Sequence, residues 1–204
     1  MKGFVDREIL PHVEAWEEAS RFPRSLYKAA GDLGLLGIGF PEAYGGVPAD
    51  TLEQLVVSET IARCGAGGVV AGLMSHGIGA PPIANLGSEA TKNKYLPGIL
   101  AGDLICALAI TEPSGGSDVA NLKTTARRDG DHYVLHGSKA FITSGMRADA
   151  ITVAVRTGGE GLGGVSLIVV DGDAPGLERT EMKKMGWWCS AQARRKWTAA
   201  CPRR

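Results

Sequence analysis

The feature that most constrains this chain is a change of periodicity near Gly102. Before it apolar residues recur every three or four positions, as on one face of a helix, and after it they recur every second position, as on one face of a strand. In residues 4–19, Phe4, Val5, Ile9, Val13 and Trp16 hold the helical spacing with carboxylates between them, and Pro11 is expected to kink or interrupt the segment. Phe22-Pro23 restarts a helix whose stripe is Leu26, Ala29, Ala30, Leu33 and Leu36, and Pro41 to Gly46 ends it in a turn. Asp50 followed by Glu53 reads as a capping box for a helix that stops at Gly65. The glycine- and alanine-rich residues 67–87 predict a closely packed helix, and Ser88 opens one more through Ala90, Tyr95, Leu96 and Ile99.

Past Gly102 the segments 104–111, 122–129, 132–143, 150–157 and 165–173 are short, rich in β-branched residues and separated by turn signals such as Asp129-Gly130. Tyr133 and Leu135 alternate with His132 and His136, the pattern of a half-buried antiparallel strand. The fold class expected is α+β and multi-domain: an all-α helical domain over 1–102, a mostly antiparallel β-barrel-like domain over 103–190, and an aberrant basic tail over 191–204.

With 204 residues and 44% hydrophobic content the chain is long enough to bury a sizeable core. Its 22 basic residues equal its 22 acidic ones, so no global field favours nucleic acid or an anionic membrane. No apolar run approaches the roughly 20 residues that cross a bilayer, and the N-terminus mixes acidic residues into what would be a signal core. The chain therefore reads as cytoplasmic, or as organellar after removal of a leader. Cys64, Cys106, Cys189 and Cys201 are widely spaced, and the first three read as small buried apolar residues rather than as metal ligands or disulfide partners.

Three ordered motifs carry the chemistry. Ala109 to Asp118 (AITEPSGGSD) is an apolar strand entering a Pro-Gly loop. A strand ending at Thr111 offers a hydroxyl and an amide to a planar group, Pro113 and Gly115-Gly116 bring the backbone close to a ligand, and successive amides with the Ser117 hydroxyl make a concavity suited to a diphosphate. Phe40 to Gly46 (FPEAYGG) precedes it and Gly137 to Gly145 (GSKAFITSG) follows it. In the last of these Phe141 offers an apolar ring, and Thr143, two residues on, is expected on the same side of a strand.

These motifs resemble the acyl-CoA dehydrogenase family, whose TEPxxGSD signature, PExYGG turn and G-x-K-x-[WFY]-I-[TS]-[NS]-G segment they match in order, over residues 3 to about 190. The resemblance implies FAD as cofactor, an acyl-CoA substrate, and α,β-dehydrogenation with hydride transfer to the flavin. It implies that Leu108, Ile110, Thr111, Gly116, Ser117, Phe141, Ile142 and Thr143 line the flavin side, with Ser117 also meeting the substrate and the Thr143 hydroxyl near flavin N5. Many members carry tryptophan where this chain has Phe141. The reaction needs a carboxylate base for the α-proton and donors for the thioester carbonyl. The family's base lies in a C-terminal helical domain, which also completes the FAD site across a subunit interface, so no catalytic residue is expected within residues 1–204 and homo-oligomerisation is expected through that domain. Glu112 reads as structural. The chain alone is expected to be inactive; the alternatives are a non-catalytic flavin- or CoA-binding or interaction fragment, and a non-functional truncated product. Acyl-chain length and branching, and the choice between dehydrogenase and related oxidase or hydroxylase, are not legible.

Other features are read as bland. Gly159 to Gly164 matches GxGxxG, but a strand follows where a nucleotide fold needs a helix, so a hairpin loop is expected. His76 reads as a core or interface histidine, and His132 with His136 lacks a third metal ligand. From Met182 onward there are seven basic and no acidic residues. The family's K-x-G-x-x-x-S stretch, here Lys184 to Ser190, normally continues D-T-x-E. Codons for Ala193 to Thr198 with G-ending arginines, read one frame over, give Thr-Ala-Glu-Val-Asp, so a frameshift near Ser190 is expected in preference to a nucleic-acid-binding tail.

Overall fold

A computed structural model describes residues 1–202, with side chains described through Trp197. The first helical segment is broken where Pro11 predicts. Helix α1 (Lys2–Phe4) passes into a π turn over Val5–Ile9 and a 3-10 turn over Leu10–His12 before α2 (Val13–Glu18) begins. Helix α3 (Ser25–Asp32) buries Leu26, Tyr27 and Ala30, and the Pro41 turn follows as a 3-10 segment over Glu42–Tyr44 closed by Gly45 at φ +88°. Helix α4 (Thr51–Ala62) carries the full capping box: the Asp50 carboxylate accepts from the Glu53 amide at 2.9 Å and the Glu53 carboxylate accepts from the Asp50 amide at 2.8 Å.

The glycine-rich stretch forms three short helices rather than one: α5 (Gly67–Leu73), α6 (His76–Gly79) and α7 (Pro81–Leu86). Close packing explains the glycines. A Cβ on Gly72 would stand 2.7 Å from the Phe22 ring, and one on Gly79 would stand 2.8 Å from Cys106 Sγ. Pro81 starts α7 because it cannot continue α6 with a main-chain donor. Helix α8 (Glu89–Leu100) is capped by Ser88, whose hydroxyl accepts from the Thr91 amide.

The last helix ends at Leu100 and the first strand begins at Cys106, on either side of Gly102. Gly102 sits at φ +76° with its Cα against α3, where a Cβ would lie 2.0 Å from the Tyr27 carbonyl oxygen. The strands are β1 (Cys106–Ala109), β2 (Thr125–Asp129), β3 (His132–Ile142), β4 (Ala150–Arg156), β5 (Val165–Asp171), β6 (Leu177–Glu181) and β7 (Ala193–Pro202). They form a curled, mixed half-barrel in the order β1-β4-β2-β3-β7-β6, with β5 also on β4. The β2·β3, β3·β7, β4·β5 and β6·β7 pairs are antiparallel and the β1·β4 pair is parallel. The GxGxxG stretch is the loop of the β4·β5 hairpin, as its context predicts.

The basic residues set apart in the sequence as a tail lie inside this sheet. Strand β7 runs between β3 and β6, with Ala193, Arg195 and Trp197 inward and Arg194 and Lys196 exposed. Two arginines and a lysine at three successive positions, Arg194 to Lys196, mask the period-2 pattern. Strand β6 carries no period-2 signal of its own, because LERTE has a single apolar residue. Two apolar clusters join the layers: Phe4, Ile9, Leu26 and Leu73 from the helical part pack with Ala107, Leu135, Val153 and Trp197 from the strands, and Ile83, Tyr95 and Leu96 pack with Cys106 and Ala150. Cys64, Cys106 and Cys189 are buried free thiols, as their spacing suggested; Cys201 has no described side chain.

Candidate functional site

The loop after β1 is laced to β3. The Ala140 amide donates to the Thr111 carbonyl at 2.8 Å, and the Lys139 ammonium donates to the Ile110 carbonyl at 2.8 Å. The same ammonium donates to Glu112 Oε1 at 2.9 Å, and that carboxylate accepts from the amides of Lys123 at 2.6 Å and Thr124 at 2.8 Å. Burial pushes the Glu112 carboxyl up, but Thr124, Lys139 and Lys123 together outweigh it and hold the group at about 2. Glu112 is therefore ionised and fully committed within the protein, which fits the structural role read from its place in the turn and not that of a base. Sequence reasoning gave Lys139 no role; the available signal was a lysine at the inward parity of Leu135 on a buried strand face.

With the two motifs fastened together, the side chains between them point outward. Leu108, Ile110, Thr111 and Thr143 are half-buried, and Phe141 is 60% exposed. The hydroxyls of Thr111, Ser117 and Thr143 are not engaged with any other described residue. Gly116 lies against Thr111, where a Cβ would come within 3.2 Å of the Thr111 hydroxyl oxygen. Ser117 stands exposed on the same loop, and the Glu112 and Gly115 backbones exchange hydrogen bonds across its tip.

The direction of Phe141 comes from a distortion, not from strand alternation. The β3·β7 register shifts between Lys139 and Ile142, Phe141 takes φ +58°, and β3 ends at Ile142. The outward, inward, outward order of Phe141, Ile142 and Thr143 nevertheless persists in their burial. Ile142 itself is 2% exposed and packs in the core, so only its main chain is placed to meet a ligand. Ser144, at φ +59°, fixes the turn to the helical layer by donating to the Gly72 carbonyl at 3.1 Å, an acceptor shared with the Tyr27 hydroxyl. Two open cavities, of about 660 and 600 Å³, lie elsewhere, one between α7, α8 and the β4·β5 hairpin and one in the helical layer around His76. Neither is lined by a residue of the outward face described here, and His76 is a buried core residue beside Phe40.

An exposed aromatic ring, two half-buried aliphatic side chains and three free hydroxyls thus lie along β1, the end of β3 and the loops that follow them. The helical layer seated on a curled mixed sheet, with the β1 loop fastened to β3, defines a two-layer α+β chain and not a doubly wound nucleotide fold. The chain belongs to the acyl-CoA dehydrogenase family. Residues 1–103 match the family's N-terminal domain and residues 107–193 its middle domain. An acyl-CoA dehydrogenase of Bacillus subtilis is 39% identical over 178 residues, which cover 87% of this chain and 47% of that one. The structure of acyl-CoA dehydrogenase from Geobacillus kaustophilus superposes with a TM-score of 0.91 at 38% identity, covering 98% of this chain and 54% of the other. That of the Bacillus anthracis acyl-CoA dehydrogenase complexed with FAD gives 0.88 at 37% identity, covering 98% and 35%. The chain thus spans about half the length, or less, of these relatives.

Proposed function

We propose that this chain supplies the flavin- and thioester-facing side of a site for α,β-dehydrogenation of an acyl-CoA, with hydride passing to FAD. The observation that carries the reading is the outward face itself: Phe141 is 60% exposed beside the free hydroxyls of Thr111 and Thr143, on a loop and strand locked together by the Glu112–Lys139 pair. FAD, where bound, supplies the hydride acceptor. Thr111 and Thr143 offer it hydroxyl donors, Phe141 covers its ring, Leu108 and Ile110 give apolar contact, Gly116 admits the backbone, and Ser117 meets the acyl-CoA. The main chain of Ile142 completes the edge. The base for the α-proton, as the family resemblance implies, comes from a C-terminal helical domain; Glu112, the carboxylate in the signature loop, is bound on both oxygens and does not serve. Assembly with further helical structure, within a homo-oligomer, completes the site.

Titrating FAD into the purified chain and following flavin fluorescence tests this. Binding is expected to weaken about two- to thirteen-fold in Phe141→Ala, the range that ~0.5–1.5 kcal/mol of aromatic stacking gives. Dye reduction with an acyl-CoA is expected to be negligible for the chain alone, because groups that act together lose most of their effect when one is missing. Absence of a flavin response both in the chain and in the chain co-expressed with a C-terminal helical domain of the family would overturn the cofactor assignment, and turnover by residues 1–204 alone would overturn the external base.

A further inference from the structure

Tyr27 belongs to none of the three motifs, yet it touches the turn that carries Thr143. The residue is buried on α3, and its ring is stacked on Phe22 with 5.5 Å between centroids. The Arg147 guanidinium lies 5.4 Å from the centre of the same ring and 4.9 Å from that of Phe22, and its Nη1 donates to the Phe22 carbonyl at 2.9 Å. Held in this clasp, Tyr27 aims its hydroxyl at α5, where it donates to the Gly72 carbonyl at 2.9 Å. The Ser144 hydroxyl donates to the same oxygen at 3.1 Å and lies 3.4 Å from the Tyr27 oxygen. Burial raises the Tyr27 phenol above its ordinary pKa, so it stays protonated, and a donor, at neutral pH.

These contacts bear on Thr143 through the backbone. Phe141 and Ser144 take φ +58° and +59°, so Ile142 and Thr143 are bracketed by two left-handed positions that a residue other than glycine adopts at a cost. Such a conformation persists where the surroundings over-determine it. Ser144 has that support: its hydroxyl is tied to Gly72, its carbonyl accepts from the amides of Arg147 and Ala148 at 2.9 Å each, and Arg147 is in turn clasped by Phe22 and Tyr27. Gly72 is fixed as well, because the Phe22 ring lies close against it. We propose, on the flavin-facing role given above to Thr143, that Tyr27 is a positioning residue: with Ser144 it fastens the turn after β3 to the Gly72 carbonyl, and so holds the Thr143 hydroxyl in its outward direction. The helical layer, and not β3 alone, then sets the geometry at the flavin edge.

Tyr27→Phe keeps the ring between Phe22 and Arg147 and removes the hydroxyl alone. The Gly72 carbonyl retains Ser144 as a donor, so the variant is expected to fold. Two readouts separate positioning from plain stability. In the chain without ligand, hydrogen exchange at the Gly145, Arg147 and Ala148 amides, which close the turn on the Ile142 and Ser144 carbonyls, is expected to quicken at least about five-fold relative to amides within α8. The second is a double-mutant cycle with Thr143→Val, read by FAD titration of the chain, alone or co-expressed with a C-terminal helical domain of the family. Tyr27→Phe is expected to weaken binding at least about three-fold where Thr143 is present and less than about 1.5-fold where valine replaces it. Equal weakening in both backgrounds, or none in either, means that Tyr27 does not act through Thr143 and overturns the proposal. Unchanged exchange at the three amides overturns it too, whether or not FAD binds. A parent chain that binds no FAD in either form overturns the flavin reading instead, and the exchange rates then decide by themselves whether Tyr27 holds the turn.

Discussion

Replacing Glu112 by glutamine removes one charge from a pair sealed from water. The side chains of Lys139 and Glu112 are 0% and 3% exposed, and the carboxylate also accepts two backbone amide hydrogens. A carboxyl held at about 2 instead of 4.5 prefers its ionised form by about 3 kcal/mol relative to the unfolded chain, at 1.36 kcal/mol per pH unit. Leaving the Lys139 ammonium buried and unpaired gives a similar cost, about 3–5 kcal/mol. At ~2–4 °C per kcal/mol for a chain of this size, Glu112→Gln should lower the melting temperature by about 6–20 °C at pH 7, measured by circular dichroism. Because the folded carboxyl sits below its unfolded value, its contribution is complete above about pH 5 and is lost as the pH falls toward 2. The gap between parent and variant should therefore shrink by more than half at pH 3. Adding Lys139→Met to Glu112→Gln should recover much of the loss, since no buried charge is then left alone. A single variant that melts within about 2 °C of the parent at pH 7 would refute this account of the pair.

Asp50→Ala removes the capping box of α4, a helix whose Leu52, Leu55 and Val56 are exposed and give it little packing to fall back on; a loss of about 0.5–2 kcal/mol is expected, seen as faster amide exchange in the first turn. Gly102→Ala forces a Cβ to within 2.0 Å of the Tyr27 carbonyl oxygen at φ +76°, and should cost about 2 kcal/mol or more; a melt unchanged from the parent would contradict the packing of α3 against this turn. His76 is 5% exposed and burial lowers its pKa, so the unfolded chain takes up the proton first and stability should decline as the pH falls below 6.5; chemical denaturation of His76→Gln should lack that slope.

Local signals determined much of this protein from the sequence. The interruption at Pro11, the Asp50–Glu53 cap, the Ser88 cap and the hairpin at residues 159–164 are set by residues within a few positions of one another, and each is found where the sequence places it. The three motifs identified the family for the same reason: each is a short turn or strand end with restricted residue choice. Tertiary structure decided what depends on distant neighbours. Within the glycine-rich stretch, Gly72 and Gly79 are needed because Phe22 and β1 approach them closely, which no window of local sequence contains. The outward turn of Phe141 comes from a bulge defined only by its pairing with β7. Glu112 and Lys139 lie 27 residues apart and become partners only when the β1 loop folds across β3. The residues after Ser190 gave the plainest difference: their charge set them apart as an aberrant basic tail, yet residues 193–202 pair with both β3 and β6, because unpaired strand edges are satisfied by backbone whatever side chains it brings.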